Sequence, residues 1–475
     1  EHKANNDGNA GCIACACVSG SKGSGFTSYS NPSLLEFFVV DYLSHELGHQ
    51  LGASHTFTHT NEGTNVQIEP GSGVTIMGYA GITGATDVQP HSDAYFHSKS
   101  IEQISNYIKT GGGASCAQVT VTGNTAPTAN AGADYIIPNS TPFKLTGSGT
   151  DIDAGDILTY NWEQIDNMAI GSSTIPIATA TAGPQFRPYL PTTSSSRTIP
   201  EINSILNGTN VNTWEVLPSV ARVLNFRFIV RDNHPSAGND KSDDMVLTIS
   251  GSSGPFAVSA PNTALIWNTG TLQTVTWTVN GSNSAPVNCA NVNILLSTDG
   301  GLTFPVTLAA NTPNDGSQII TVPAITSAAC RVKVEAVGNI FFDISNTNFI
   351  IAIPTPDFIF DNPGAMTVGC NGPTSAVITL GVLSILGYNT PVNLSASGVP
   401  PGTTVSFGTT PVIPGGSTVV TLNNTNTLSF GTYSVTITGV SGVITKTRIL
   451  TYIIQPGAGP LITLQPISQS ACVGN

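Results

Sequence analysis

His45-Glu46-Leu47-Gly48-His49-Gln50-Leu51-Gly52-Ala53-Ser54-His55 is the stretch on which the reading of this chain turns. His45 and His49 are four residues apart. On a helix they share one face, about 6 Å apart along the axis, so two imidazole nitrogens can converge on one metal ion. Glu46 stands beside them, placed to take a proton from water on that metal. His55 cannot join while the helix continues, because six further residues at roughly 100° each turn it nearly opposite His49. The helix must therefore stop and the chain must fold back. Gly52 permits this, since a helix C′ position commonly needs positive φ. Three histidines leave the fourth position of a tetrahedral Zn²⁺ open to water or a carbonyl, which marks a catalytic rather than a structural metal.

The extended pattern resembles the metzincin zinc endopeptidases. That clan carries a methionine turn beneath the metal. Here Thr75-Ile76-Met77-Gly78-Tyr79 follows, with Met77 lying 22 residues after His55. Within the clan, the segment from about Gly11 to Cys116 looks most like the reprolysin-like group of large secreted bacterial proteins. Animal reprolysins usually have Asp after the third histidine. This chain has Thr56-Phe57, and His-Thr-Phe is closer to the pappalysin variant. The resemblance implies that His45, His49 and His55 bind Zn²⁺ and that Glu46 is the general base, passing its proton on to the leaving amine. Met77 would form the floor under the metal. Tyr79 resembles the tyrosine that some metzincins use to stabilise the oxyanion, although a packing role is an equal reading. The same resemblance implies a Cys17–Cys116 disulfide. It also makes Ala10 to Val18 the edge strand that pairs with extended substrate, or else an ordinary strand.

The composition bounds the rest. Charged residues are 9% of 475, with 49 Gly and 31 Pro, against about 25% charged in ordinary soluble proteins. Such a chain suits many short strands and turns. A formal charge of −13, with no basic cluster, argues against nucleic acid or an anionic membrane as partner. The longest apolar stretch, Ala376 to Leu386, is interrupted by Thr379, Gly381 and Ser384. It is too short to span a bilayer and reads as strand. The eight cysteines favour an oxidising compartment. Cys289 and Cys330 fall in one sandwich and could bridge it. Cys12-x-x-Cys15-x-Cys17 has a second reading as a metal cluster, which lacks a fourth close ligand. Cys370 has no obvious partner, and that of Cys472 is not evident either. Only 44 residues precede His45, fewer than the resembled catalytic domain needs, so the expectation is an internal fragment of a longer secreted precursor.

The expected architecture is multidomain, a partial α/β metzincin catalytic domain followed by tandem all-β Ig-like sandwiches. Residues 1–119 are the C-terminal part of the catalytic domain. Within them Ser33 and Glu36 make a capping box, and Leu43, Leu47 and Leu51 form the buried stripe of the active-site helix. A second helix, Ser100 to Lys109, carries Ile101, Ile104 and Ile108 on its core face. Thr120 to Pro127 is a linker. Residues 125–251 resemble PKD and cadherin-like sandwiches through Pro127 to Asp134, Leu145 to Asp153 and Leu158 to Trp162. Trp162 is the expected core tryptophan, and Asp166 to Val216 an insertion rich in Ser, Thr and Pro. Asp151, Asp153 and Asp156, with Asp232 and Asp243, could gather at one pole and bind Ca²⁺, or form a solvated turn cluster. Residues 255–352 and 356–455 read as further Ig-like sandwiches, and 460–475 as the start of another module. Ser297 to Phe304 matches a sialidase Asp-box. That activity needs three arginines, and residues 251–475 hold only Arg331 and Arg448.

The expected function is therefore a secreted or cell-surface zinc endopeptidase acting on proteins or peptides. The sandwiches would serve as spacers or as binders of extracellular glycan or protein. The rival is an adhesive or binding protein whose protease is vestigial; an intact Glu46 argues against it.

Overall fold

Thr, Ser and Val are abundant beyond Thr120, and Gly, Pro and Asn punctuate the chain, so it folds as short, mostly antiparallel strands joined by tight turns. The computed structural model describes residues 7–30, 35–235, 237–369 and 374–455. Ser33, Cys370, Cys472 and the stretch 460–475 lie outside the described residues. Two compact units result, Glu1–Ile353 and Pro354–Asn475.

The first unit opens with β1 (Asp7–Asn9) paired antiparallel to β2 (Phe26–Ser28). A helical run follows, made of α1 (Leu35–Phe37), a wider π-helical stretch over Phe38–Ser44 and α2 (His45–Gln50). α3 (Ser98–Lys109) closes this segment. Three expectations are corrected here. Ala10 to Val18 is not a strand: Gly11, Ala14 and Cys17 take positive φ and a Cys12–Cys15 disulfide closes a tight loop. Positive φ at three of nine positions is incompatible with an extended run. Leu43, Leu47 and Leu51 are not a buried stripe, because Leu47 is 51% exposed. The π-helical stretch turns the helix so that Val40, His45, Gly48 and His49 face inward instead. On α3, Ile108 is exposed, and Ser98 and Ser100 are buried.

The first sandwich places β3 (Tyr135–Pro138), β10 (Asp240–Ser250), β9 (Arg222–Arg231) and β5 (Thr159–Gln164) in one sheet, in that order. β3 runs parallel to β10, and the other pairs are antiparallel. Against this sheet lies the pair β4 (Phe143–Thr146) and β6 (Ser196–Ile199). Trp162 is buried among them and its indole N–H donates to the Ser195 carbonyl at 3.0 Å. β6 lies inside the expected insertion, so part of Asp166 to Val216 is sandwich and not loop. The short pair β7 (Val211–Asn212) and β8 (Glu215–Val216) ends it. One hydrophobic cluster runs from Ala131 through Phe143, Phe226 and Trp277 to Ile351, continuous across 125–251 and 255–352. Ser297 to Phe304 forms a turn, in which Asp299 accepts from Ser297, Leu302 and Thr303.

The second unit packs two four-stranded sheets around Phe358, Leu380, Val420, Ile437 and Tyr452. Among the described residues no helix is long and apolar enough to cross a membrane.

Candidate metal centre

α2 ends where the sequence requires it to. Leu51 caps it and Gly52 follows with φ +102°. Ala53 N–H then donates back to the Gly48 carbonyl at 2.9 Å, and the reversed chain brings His55 onto the helix. Gly48 faces Met77, which is fully buried. A Cβ at Gly48 would lie 2.5 Å from the Met77 sulfur, so the glycine is what lets the methionine turn pass under the helix.

Each histidine is held by its Nδ1. That of His45 meets the Ile76 carbonyl at 2.6 Å, that of His49 the Ala53 carbonyl at 2.8 Å and that of His55 the Glu62 carboxylate at 2.9 Å. All three partners are acceptors, so each ring carries its proton on Nδ1 and presents a bare Nε2 lone pair. The three Nε2 atoms converge, 3.1 Å apart for His45 and His49, 3.0 Å for His49 and His55 and 3.3 Å for His45 and His55. No hydrogen bond can join them, since none of the three can donate. Tetrahedral Zn–N bonds of about 2.0–2.1 Å require N···N separations of about 3.3–3.4 Å, so the cradle fits this ion. Burial lowers His45 and His55 to about 3, with neighbouring histidines adding to it, and lowers His49 as well. The three rings are thereby kept neutral, the form in which an imidazole can bind metal.

Glu46 lies against Gly8 of β1, whose missing side chain leaves room for the carboxylate. Burial raises it to about 7 and Asp7 adds to this, while the Ala10 backbone opposes both. Tyr79 stands with its ring 4.5 Å from that of His55 and 5.6 Å from that of His45. Burial, reinforced by Glu62 and Glu46, pushes its hydroxyl up to about 12, so it remains a donor. A cavity of about 480 Å³ opens beside these groups, between the helical run and the segment from Gly78 to Ser92, with Tyr42, Asp41 and His91 in its wall.

Other predicted residues are placed as follows. A disulfide joins Cys17 to Cys116, and a second joins Cys12 to Cys15, which removes the metal-cluster reading of that run. The expected Cys289–Cys330 bridge is not formed; both are buried free thiols. Ser297 lies opposite Arg331 on the antiparallel strands Asn291–Ser297 and Ser327–Ala336. Cys330 therefore sits near one end of the pair and Cys289 beyond the other, roughly 30 Å of strand away at ~3.4 Å per residue. Of the five acidic residues, only Asp151, Asp156 and Asp232 bring carboxylate oxygens within 4.8 Å of one another. Asp153 instead accepts from Thr125 N–H at 2.6 Å and Asp243 from Ala131 N–H at 2.9 Å.

Two carboxylates in the site were not singled out from the sequence. Glu62 orients His55. Glu69, fully buried, accepts from Thr56 Oγ1 at 2.5 Å, Val74 N–H at 2.8 Å, Thr75 N–H at 3.1 Å and the Thr75 hydroxyl. It ties the residue after His55 to the chain entering the methionine turn. A glutamate in a polar loop carries no spacing signal that separates these roles from solvation.

Residues 1–108 match the family model of the reprolysin-like metallo-peptidases, family M12B. This reprolysin-like segment contains the whole histidine cradle, Glu46 and Met77. The family implies zinc, and the cradle suits it. No curated protein matches the chain. Among solved structures, the N-terminal eight Ig domains of Down Syndrome Cell Adhesion Molecule share 10% identity over 71% of this chain and 41% of that one, with a TM-score of 0.19. Domains 3–5 of Drosophila OTK share 11% identity over 69% and 95%, with a TM-score of 0.17. Domains 4 and 5 of the S-layer protein SbsC share 15% over 38% and 83%, with a TM-score of 0.16. The chain thus spans under half the length of the first of these. Beyond the reprolysin-like segment the fold is β-sandwich.

Proposed function

We propose that this chain belongs to an extracellular zinc endopeptidase that hydrolyses peptide bonds of proteins through Glu46. The observation that carries this reading is the convergence of three bare Nε2 atoms, 3.0–3.3 Å apart, beside a half-buried carboxylate. His45, His49 and His55 would hold Zn²⁺, which when bound supplies a Lewis acid that acidifies water and polarises the scissile carbonyl. Glu46 accepts the proton of the attacking water on a carboxylate oxygen and delivers it to the leaving amine. A carboxyl raised to about 7 suits both halves of that transfer near neutral pH. The Tyr79 hydroxyl, protonated up to about 12, donates to the oxyanion that develops on the carbonyl. Met77 does no chemistry; it fills the space under Gly48 and keeps the cradle in place. Disulfides in the reprolysin-like segment accord with secretion or the cell surface.

Four proteins test this, each scored for zinc content and peptide hydrolysis. Wild type should bind about one zinc. Glu46→Ala should keep the metal and lose hydrolysis by orders of magnitude. Tyr79→Phe should keep the metal and lose about 100-fold in kcat. His49→Ala should lose both. Undiminished turnover in Glu46→Ala would overturn the mechanism.

A further inference from the structure

Glu62 orients His55, yet it stands on an irregular loop, with its side chain 33% exposed to water. What holds it is Gln67, which is 1% exposed. The Gln67 carbonyl oxygen Oε1 accepts from Glu62 N–H at 2.7 Å and from Gly63 N–H at 3.1 Å. Its Nε2 donates to the Phe57 carbonyl at 3.0 Å and to the Thr60 carbonyl. One buried amide thus fastens the loop where it leaves His55 and where it presents Glu62.

Gln67 is itself held from outside the reprolysin-like segment. Its N–H donates to Asn167 Oδ1 at 2.8 Å, and its backbone carbonyl accepts from Met168 N–H at 2.8 Å. Further along, Gly71 N–H donates to the Thr174 carbonyl at 2.9 Å, and Thr174 Oγ1 donates to the Thr58 carbonyl at 3.2 Å. Asn167, Met168 and Thr174 all belong to the Ser/Thr/Pro-rich segment of the first sandwich. Both sides of this seam lie within one compact unit.

We propose that this sandwich segment is a working part of the metal centre, with Asn167 and Gln67 as positioning residues that set Glu62 against His55. The proposal rests on the zinc reading above. An exposed carboxylate on an unheld loop samples many conformers, and the ordering needed to engage His55 costs entropy. The hydrogen bonds from Asn167 and Met168 remove that freedom in advance. Partners that orient metal ligands typically contribute 10–100-fold in affinity.

The test uses the full chain and measures zinc affinity by competition with a chromophoric chelator, together with the visible spectrum of the Co²⁺-loaded protein. Asn167→Leu removes the acceptor for Gln67 N–H, whereas Asn167→Asp keeps it. The Leu variant should bind zinc about 10-fold or more weakly and shift the Co²⁺ bands, and the Asp variant should stay close to wild type in both. Glu62→Ala should show a similar loss, and adding Asn167→Leu to it should cost no more, because both act through one contact. Wild-type affinity and spectrum in Asn167→Leu would overturn the proposal. So would losses that add in the double variant, which would mean that the seam stabilises the fold without acting through Glu62. A wild-type chain that binds no zinc would fail differently, sinking the zinc reading beneath.

Discussion

Gly48 shows how closely one position can be specified. It occupies the second free place between the paired histidines, where the motif itself demands nothing. The Met77 sulfur occupies the space that a side chain there would need. Gly48→Ala should cost about 1–3 kcal/mol through overpacking, seen as a lower Tm of the zinc-loaded chain; an unchanged Tm would mean that Met77 is not packed against the helix. Asp343, at 3% exposure, is specified from the opposite direction, by burial of charge. It accepts from Val258 N–H at 2.7 Å, and burial pushes its carboxyl up to about 7. An unfolded aspartate titrates near about 4. Between those values the folded chain keeps a proton that the unfolded chain has released, so this group's contribution to stability falls as pH rises from about 4 to about 7. Asp343→Asn should remove that slope, gaining on wild type by a few kcal/mol across the window, to order of magnitude, in denaturant melts at several pH values. A difference that stays flat with pH would show that Asp343 is ionised in the fold.

Among the elements, register decides what patterns cannot. Cys289 and Cys330 share a sandwich, and their composition invites a bridge. The pairing of Ser297 with Arg331 sends them to opposite ends of one strand pair. Both thiols are raised by burial above the ordinary cysteine range, so the reactive thiolate is suppressed. Peptide mapping without reduction should find both as thiols, alkylated only after denaturation; a Cys289–Cys330 peptide would refute the register. The helix that carries His45 and His49 teaches the same point. Leucines four apart predicted a straight α-helical stripe, but Phe38–Ser44 is π-helical and leaves Leu47 in solvent. Hydrophobic period reports which residues are apolar. It does not report a change of helix type, which depends on what the helix packs against.

The molecule as a whole divides at Ile353 and Pro354. The second unit has its own core around Phe358, Leu380 and Tyr452. An isolated 354–455 segment should therefore fold and melt at the temperature its transition shows in the full chain, as followed by circular dichroism; failure to fold would mean that its stability is borrowed. The convergence of His45, His49 and His55, the break at Gly52, the placing of Met77 against the helix and the change to β-sandwich strands were all legible in the residues. The reason is that each depends on local spacing, on one backbone angle or on composition, which the chain carries wherever it folds. Glu62, Gln67 and Glu69 were not legible, nor were the free state of Cys289 and Cys330 and the joining of the first sandwich to the loop that follows His55. These depend on which distant segments meet. A buried carboxylate or amide is told from a solvated one only by the donors that surround it, and Glu69 and Gln67 acquire theirs through chain reversals and a neighbouring sandwich that no short-range pattern encodes.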